Sequence, residues 1–170
     1  MKARTKREQS VSKATKTETK RRATAPACAE GRCLCGAVVV EIGVPARWAW
    51  HDHSTASRRA PGAAYATYVG SWASRFRFVQ GEDNLTRYED KANHATRSFC
   101  RTRGSPVLYQ RNKQNVNLPR AMFTSGTGRN PRYHIAIAQL QDWTYLGEKL
   151  RPPRGFSGVV WTGGRRRPEL

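Results

Sequence analysis

The sequence predicts a mostly β domain whose sheet is folded or sandwiched. Short segments rich in β-branched and aromatic residues recur along the chain, and Gly, Pro and Asn lie between them. Only one segment, Ile137 to Trp143, favours a helix, and it is short. Short strands separated by turn residues are typical of all-β architectures. With 170 residues, the chain is long enough for one such domain with basic flanks.

Six strands are predicted, each from its own pattern of side chains. Ala37 to Ile42 is short and rich in β-branched residues, and Ala64 to Val69 alternates small and large side chains. Phe76 to Val79 has the period of two that is typical of a strand with one solvated face. The remaining three strands are predicted at residues 85–88, 96–99 and 107–110. Between them, the Pro61-Gly62 dipeptide predicts a loop over residues 57–62.

Both ends of the chain are strongly basic. Residues 1–25 carry nine Lys and Arg against two Glu, and residues 151–170 carry five Arg against one Glu, so the ends supply more than half of the formal charge of +19. These ends contain few large apolar residues, so burial cannot offset the entropy of ordering them. We therefore predict a disordered basic tail over residues 1–29, a β domain over residues 30–162 and a basic tail over residues 163–170.

The composition also restricts partners and compartment. A basic tail attracts polyanions through counterion release, so the tails are either solvated segments with weak, non-specific affinity for RNA or DNA, or a true nucleic-acid-binding element. The four cysteines do not resemble a secreted disulfide framework, and the chain has neither a signal-peptide core nor an apolar run of about 20 residues. We expect a reduced, cytoplasmic setting and no membrane partner.

Three short segments carry the side chains that suit a metal ion. They are Cys33-Leu34-Cys35-Gly36, His51-Asp52-His53, and the segment from Cys100 to Gly104. Short side chains two residues apart can converge on one ion without straining the backbone. In a folded sheet, the arms before Ala37 and Val107 would lie side by side, so a zinc ion on the cysteines would stabilise a thin core. The alternative is a metal-free cluster of packed thiols.

Several motifs together resemble one known family. These motifs are Gly31 to Ala37 (GRCLCGA), Arg58 to Thr67 (RRAPGAAYAT), Gly81 to Asp83, Ser98 to Cys100 with Gly104 to Pro106, and Gly155 to Trp161 (GFSGVVW). The sequence resembles the glutathione-dependent formaldehyde-activating enzymes and the related centromere protein V, which share the GFA domain. The resemblance implies a mostly β, Mss4-like fold with zinc knuckles. It also implies a carbon–sulfur lyase type of activity, in which glutathione adds to formaldehyde and forms S-hydroxymethylglutathione.

The resemblance implies two zinc sites, and both ligand sets depart from the family pattern. The structural zinc would take Cys33, Cys35 and Cys100, with Arg103 at the position of the fourth ligand. A guanidinium offers no lone pair, so Cys28, a water molecule or no metal at all must make up the difference. The catalytic zinc would fall on His51, His53 and Ala56, of which only the two histidines can bind it.

The candidate site residues follow from these positions. We predict His51 and His53 as catalytic residues and metal ligands, the alternative being a pair of hydrogen-bonded histidines with Asp52 beside them. Arg58 and Arg59 are predicted to hold a carboxylate of a small thiol substrate such as glutathione, the alternative being a solvated basic loop.

The other histidines and the aromatic residues receive simpler predictions. His94 is predicted at the surface and His134 in a strand, neither as a ligand. Aromatic residues near the histidine segment are expected in the core and in a pocket wall, where exposed rings could stack on a ligand or a base: Trp48, Trp50, Tyr65 and Tyr68.

Two functions remain open at this point. The first is an enzyme that acts on thiol–aldehyde adducts. The second is an inactive, zinc-stapled basic scaffold that binds nucleic acid or another partner. Ala56 separates them, because a missing third ligand argues against vigorous zinc catalysis.

Overall fold

The predicted mostly β fold is confirmed. A computed structural model describes residues 27–144, together with Gly155 and the backbone of residues 160–161. These residues form eleven strands and one short α-helix. The elements are β1 (Cys28–Arg32), β2 (Val39–Gly43), β3 (Trp48–Asp52), α1 (Thr55–Arg59), β4 (Ala66–Trp72), β5 (Phe76–Gln80), β6 (Leu85–Asp90), β7 (Ala95–Cys100), β8 (Pro106–Gln110), β9 (Asn115–Pro119), β10 (Tyr133–Ile135) and β11 (Val160–Trp161).

The strands form two sheets. The smaller sheet has the order β1-β2-β5, and the larger has the order β11-β10-β3-β4-β9-β8-β7-β6. Neighbouring strands are antiparallel except for β3 and β10, which are parallel. The parallel pair is important for the site, because it sets His134 of β10 opposite His51 of β3.

The two faces of the larger sheet differ in chemistry. Ala49, Val69 and Leu118 are neighbours across β3, β4 and β9, and they belong to the apolar core together with Val40 and Ile42 of the smaller sheet. Side chains alternate between the faces of a strand, so the next row of the same three strands points the other way. That row contains Trp48, Gly70 and Asn117. We call this second side the aromatic face, since it carries Trp48, Trp50, Tyr68 and Trp72.

All six strand predictions are confirmed, whereas the helix prediction is wrong. The six predicted strands correspond to β2 and to β4 through β8, with ends shifted by up to three residues. Instead of a helix from Ile137 to Trp143, the chain makes a 3₁₀ turn at Ile137–Gln139 and becomes extended at Leu140, whose ψ is 134°. The predicted loop over residues 57–62 begins inside α1, which Ser54 caps by accepting a hydrogen bond from the Ser57 N–H.

The predicted tails lie mainly beyond the described part of the chain. The boundary predicted at residue 30 falls inside β1, which begins at Cys28. Residues 1–26 of the N-terminal tail and the whole segment 163–170 are outside the described residues. No helix within the described ranges has the length and apolar character needed to span a membrane.

Candidate metal centre and histidine cluster

The three predicted cysteine ligands come together. Cys33 and Cys35 lie in the turn between β1 and β2, which is closed by a hydrogen bond from the Gly36 N–H to the Cys33 carbonyl (3.0 Å). Cys100 ends β7. The Sγ atom of Cys35 lies 3.6 Å from that of Cys33 and 3.7 Å from that of Cys100, and all three sulfurs lie within 4.8 Å of one another.

These distances fit a tetrahedral zinc site. With Zn–S bonds of about 2.3 Å, neighbouring sulfurs in a tetrahedron lie about 3.8 Å apart. Backbone and side-chain donors also support thiolates here, since the Val38 N–H donates to Cys33 Sγ (3.3 Å) and Asn84 Nδ2 donates to Cys100 Sγ (3.7 Å). Burial raises the pKa of Cys100, but hydrogen bonds from the backbone N–H groups of Arg103 and Thr102 outweigh it, so the pKa is lowered overall. A backbone hydrogen bond at Ala37 lowers the pKa of Cys35, but burial and the neighbouring Cys33 and Cys100 raise the pKa overall. Three sulfurs are therefore in place for an ion, and a bound cation would favour the thiolate of Cys35.

The fourth position of the tetrahedron receives no protein sulfur. Arg103 is exposed, and its backbone rather than its side chain contacts Cys100. Cys28 lies at the far end of β1, about 16 Å from Cys33 at the usual rise of a strand, and it is not part of the three-sulfur group. Cys35 and the adjoining Leu34 are exposed, so the cluster lies at the surface.

The histidine segment forms a second cluster, which includes a residue that sequence reasoning had set aside. His53 Nε2 and His134 Nδ1 are 2.8 Å apart, and their rings are inclined by 17°. The ring of His51 lies 4.6 Å from that of His134, and the Tyr65 ring contacts all three imidazoles. His134 occupies a strand as predicted, but it is buried between the two predicted catalytic histidines.

Burial keeps this cluster neutral. Desolvation and the neighbouring His51 and His53 lower the pKa of His134 to about 4. The pKa of His51 is lowered by burial and then by His53, and the pKa of His53 is lowered mainly by burial. The backbone of Pro131 acts in the opposite direction and raises the pKa of His51. The Nδ1 atom of His51 lies 2.9 Å from Thr67 Oγ1, and the tautomer of the ring decides which of the two atoms donates.

The three histidines do not form a three-ligand metal group in this arrangement. Within the described residues, the three cysteines are the sole group of three ligand side chains whose atoms lie within 4.8 Å, so the ring nitrogens of His51, His53 and His134 are more widely spread. The His53 and His134 nitrogens that face each other are occupied by their hydrogen bond. Ala56, in α1, contributes no ligand atom. His51 and His53 as ligands of a second metal ion therefore stay a prediction, with two protein side chains rather than three to hold the ion.

Asp52 and Arg58 act on the backbone around these histidines. Asp52 points away from them and accepts hydrogen bonds from the Ser54 N–H (2.9 Å) and the Ser57 hydroxyl (2.8 Å). Arg58 Nε donates to the carbonyl of His53 (3.2 Å), so its guanidinium helps to hold the segment. Arg59 is exposed and lines a cavity of about 400 Å³ beside α1.

One cavity is lined by a cysteine of the sulfur group and by two residues that contact His51. It has a volume of about 450 Å³, and its lining includes Cys33 from the sulfur group and both Tyr65 and Thr67, which contact His51. Arg32 lies at its edge. A cavity of this size holds a small ligand.

Comparison with known proteins identifies the family. The family model described as glutathione-dependent formaldehyde-activating enzyme (GFA) matches residues 28–139, which is well over half of the chain. The chain belongs to the GFA family. The match covers the sulfur group, the histidine segment and β1 through β10.

Two further comparisons add context to the GFA assignment. The crystal structure of a Rhodobacter sphaeroides protein is 30% identical in sequence, with a TM-score of 0.49, and the match covers 60% of this chain and 91% of that one. No curated protein matches the chain. This GFA domain therefore contains a group of three cysteine sulfurs and, separately, a hydrogen-bonded histidine cluster.

Proposed function

We propose that this GFA domain is a carbon–sulfur lyase type of enzyme that acts on adducts of a small thiol and an aldehyde, such as S-hydroxymethylglutathione. The observation that carries the proposal is the 450 Å³ cavity, because it is lined by Cys33 of the sulfur group and by Thr67, whose hydroxyl contacts His51. Family membership supports glutathione as the thiol.

The sulfur group supports a bound zinc ion. Cys33, Cys35 and Cys100 would hold the ion, which would stabilise the fold and lower the pKa of a thiol that occupies its remaining coordination position. Zinc is the metal that this ligand set prefers among the common divalent ions, since three soft thiolates are poor ligands for magnesium or calcium.

His51 and Thr67 supply a path for the proton. Cleavage of the adduct removes the hydroxyl proton, forms the carbonyl of the aldehyde and breaks the C–S bond, and the departing sulfur takes a proton. Thr67 lines the cavity, and its hydroxyl can donate to the lone pair of His51 Nδ1 while it accepts from the adduct. The low pKa of His51 keeps the ring neutral, and therefore able to accept a proton, at neutral pH. His53 is completely buried, so it cannot contact the adduct directly. We propose that His53 acts indirectly, through its contacts within the histidine cluster.

Arginine side chains supply a counter-charge for the carboxylates of a peptide thiol. Arg32 lies at the edge of the 450 Å³ cavity, where its Nε is paired with Glu30 Oε1 at 2.7 Å. Arg59 lines the adjoining 400 Å³ cavity, which shares the side chains of Tyr68, Pro106 and Pro119 with the first. Arg58 is already bonded to the His53 carbonyl and to Thr55, so we propose Arg59 as the stronger partner of the two predicted arginines.

The second candidate function is an inactive zinc-stapled scaffold with basic ends. It is favoured by Ala56 and by histidine nitrogens that do not converge on an ion. Such a scaffold would bind a polyanion through Lys and Arg without turnover.

The rate of exchange between free glutathione and its formaldehyde adduct distinguishes the two functions. Formation and cleavage of the adduct from ¹³C-formaldehyde would be followed by NMR, with zinc content measured in the same samples. We expect the reaction to run faster than the spontaneous rate, by an amount proportional to the protein concentration. The rate increase should be at least tenfold smaller in His51→Gln and Thr67→Val. His94→Asn, which alters an exposed histidine elsewhere, is the matched control. No acceleration by fully zinc-loaded protein would exclude the enzyme and leave the scaffold.

A further inference from the structure

A separate cavity of about 570 Å³ lies over the aromatic face of the larger sheet. Its floor is formed by Trp48 and Trp50 of β3 and by Asn115 and Asn117 of β9. Neither the cysteines nor the histidines of the two clusters line it. The cavity therefore belongs to a different part of the molecule from the proposed thiol site.

The floor is a fixed aromatic platform. The rings of Trp48 and Trp50 lie 5.9 Å apart and are inclined by only 16°. Trp48 crosses strand β4 above Gly70, where a Cβ atom would come within 1.6 Å of its Nε1 atom, and this Nε1 donates to Asn117 Oδ1 at 2.9 Å. An indole held on both sides is already in place for a planar ligand, and base–aromatic stacking contributes about 1–3 kcal/mol per base.

Two hydrogen-bonding atoms on this floor lack a partner. Trp50 Nε1, a donor, and Asn115 Oδ1, an acceptor, are two of the four buried side-chain atoms with no hydrogen bond in the described part of the chain. Leaving such a group unpaired costs about 1–3 kcal/mol. An amino group at the edge of a nucleobase could pair with Asn115 Oδ1. The Trp50 N–H points along the plane of its own ring, so it would meet an oxygen of the sugar or phosphate rather than a base that stacks on the ring.

The walls carry strained backbone. His94 and Ala136 are the two non-glycine residues with positive φ among the described residues, at 48° and 55°, and both line this cavity. Such conformations cost about 1–3 kcal/mol each and cluster at ligand sites. That both of these residues line the same cavity is a second observation, separate from the unpaired atoms on the floor.

The charge at the rim favours an anion. Arg111 lines the cavity and is exposed, and Lys113 follows in the same loop. Asp52 is the one acidic residue among the described residues that line it, and both of its oxygens already accept hydrogen bonds from Ser54 and Ser57. A phosphate would therefore meet a guanidinium without an opposing free carboxylate.

We propose that this cavity binds a nucleobase that carries a phosphate, with the base over Trp48 and Trp50 and the phosphate at Arg111. The same chemistry is offered by a free mononucleotide and by one nucleotide of a single-stranded RNA or DNA. The site is independent of the proposed lyase function, and glutathione should not compete for it.

Calorimetric titration of the full chain with AMP, GMP, CMP and UMP, and polarisation of labelled single-stranded oligonucleotides, would test the proposal. Ribose 5-phosphate, which lacks the base, is the matched probe. If the natural ligand is a free nucleotide, we expect at least one mononucleotide to bind more than tenfold more tightly than ribose 5-phosphate. If the natural ligand is a single-stranded nucleic acid, we expect an oligonucleotide to bind through the cavity. In either case Arg111→Ala and Asn115→Leu should weaken binding about tenfold.

Two controls separate the cavity from non-specific attraction to the basic ends. Arg87→Ala removes the same charge from an exposed position in β6, and it should leave binding unchanged. Asn115→Leu removes the unpaired acceptor and should not lower the thermal stability, so its loss of binding would not be a folding defect. Oligonucleotide binding that neither Arg111→Ala nor Asn115→Leu alters, together with equal affinities for mononucleotides and ribose 5-phosphate, would overturn the proposal.

Discussion

His53 Nε2 and His134 Nδ1 form a direct imidazole–imidazole hydrogen bond of 2.8 Å. One ring must supply the N–H and the other the lone pair, so the bond is compatible with two neutral rings. The two residues are 81 positions apart in sequence, and the parallel pairing of β3 with β10 brings them together. This contact ties a third histidine to the segment that the sequence analysis predicted to be catalytic.

The first prediction is that acid destabilises the protein through this cluster. The folded pKa of His134 is about 4, against about 6.5 for an unperturbed histidine, so between these values the unfolded chain binds more protons than the folded one. The free energy of unfolding should fall as the pH decreases from about 6.5 to about 4, by on the order of 3 kcal/mol for His134. His51 and His53 contribute in the same direction.

Urea denaturation at a series of pH values would measure this dependence. A chelator in every sample removes the separate effect of metal release at low pH. His134→Gln should flatten the slope between pH 6.5 and 4, whereas His94→Asn, which changes an exposed histidine and keeps a residue that tolerates positive φ, should not. Equal slopes in wild type and His134→Gln would show that His134 is not the titrating group.

The second prediction concerns the sulfur group. Cys35→Ser alters an exposed residue, so it removes a ligand with little loss of packing. We expect the zinc content to fall from about one ion per chain to nearly none, and Tm to fall by about 10 °C, which corresponds to about 3 kcal/mol. Cys28→Ser is the matched control, since Cys28 lies outside the group. Elemental analysis and calorimetry would record both quantities, and unchanged zinc in Cys35→Ser would contradict the assignment.

The third prediction restores a fourth ligand. Arg103 follows Cys100 at the spacing of a Cys-x-x-Cys turn, and its backbone N–H already faces the Cys100 sulfur. Arg103→Cys should therefore strengthen zinc binding by at least tenfold, as measured by competition with a chromogenic chelator. Arg101→Cys places a thiol in the same turn at the wrong spacing and should leave the affinity near that of the wild type. Equal effects of the two variants would show that any added thiol suffices.

Much of the sulfur group could be predicted from sequence, because its ligands are marked locally. Cys33 and Cys35 precede Gly36, which adopts a φ of 75° in the turn, and a strand follows at once. To place Cys100 beside Cys33 and Cys35, it was enough to predict that the segments next to two strands lie side by side. The six predicted strands were found for the same reason, since alternation is a local property.

Strand β3 and the contact of His134 with the histidine segment could not be predicted in the same way. Trp48 to Asp52 mixes large aromatic and polar residues because both of its faces are partly buried, so it lacks a clean alternation. The neighbouring strand β10 has three residues, too few to give a pattern. The helix at Ile137 was predicted wrongly because the spacing of apolar and polar residues does not reveal backbone angles. Ala136, which comes just before the 3₁₀ turn, has a positive φ. Tertiary pairing decided each of these elements.

The last prediction concerns Gly70, which allows Trp48 to lie across β4. A Cβ at this position would fall 1.6 Å from Trp48 Nε1, so Gly70→Ala must displace the indole and break its hydrogen bond with Asn117. We expect a loss of about 3 kcal/mol in the free energy of unfolding, together with a change in tryptophan fluorescence of the folded state. Gly126→Ala is the matched control, because a Cβ there meets nothing within 4 Å and the backbone φ is not in the left-handed region. Urea denaturation followed by fluorescence should leave Gly126→Ala within about 0.5 kcal/mol of the wild type. A similarly small effect of Gly70→Ala would mean that the indole is not held in this place, and the aromatic platform would lose its basis.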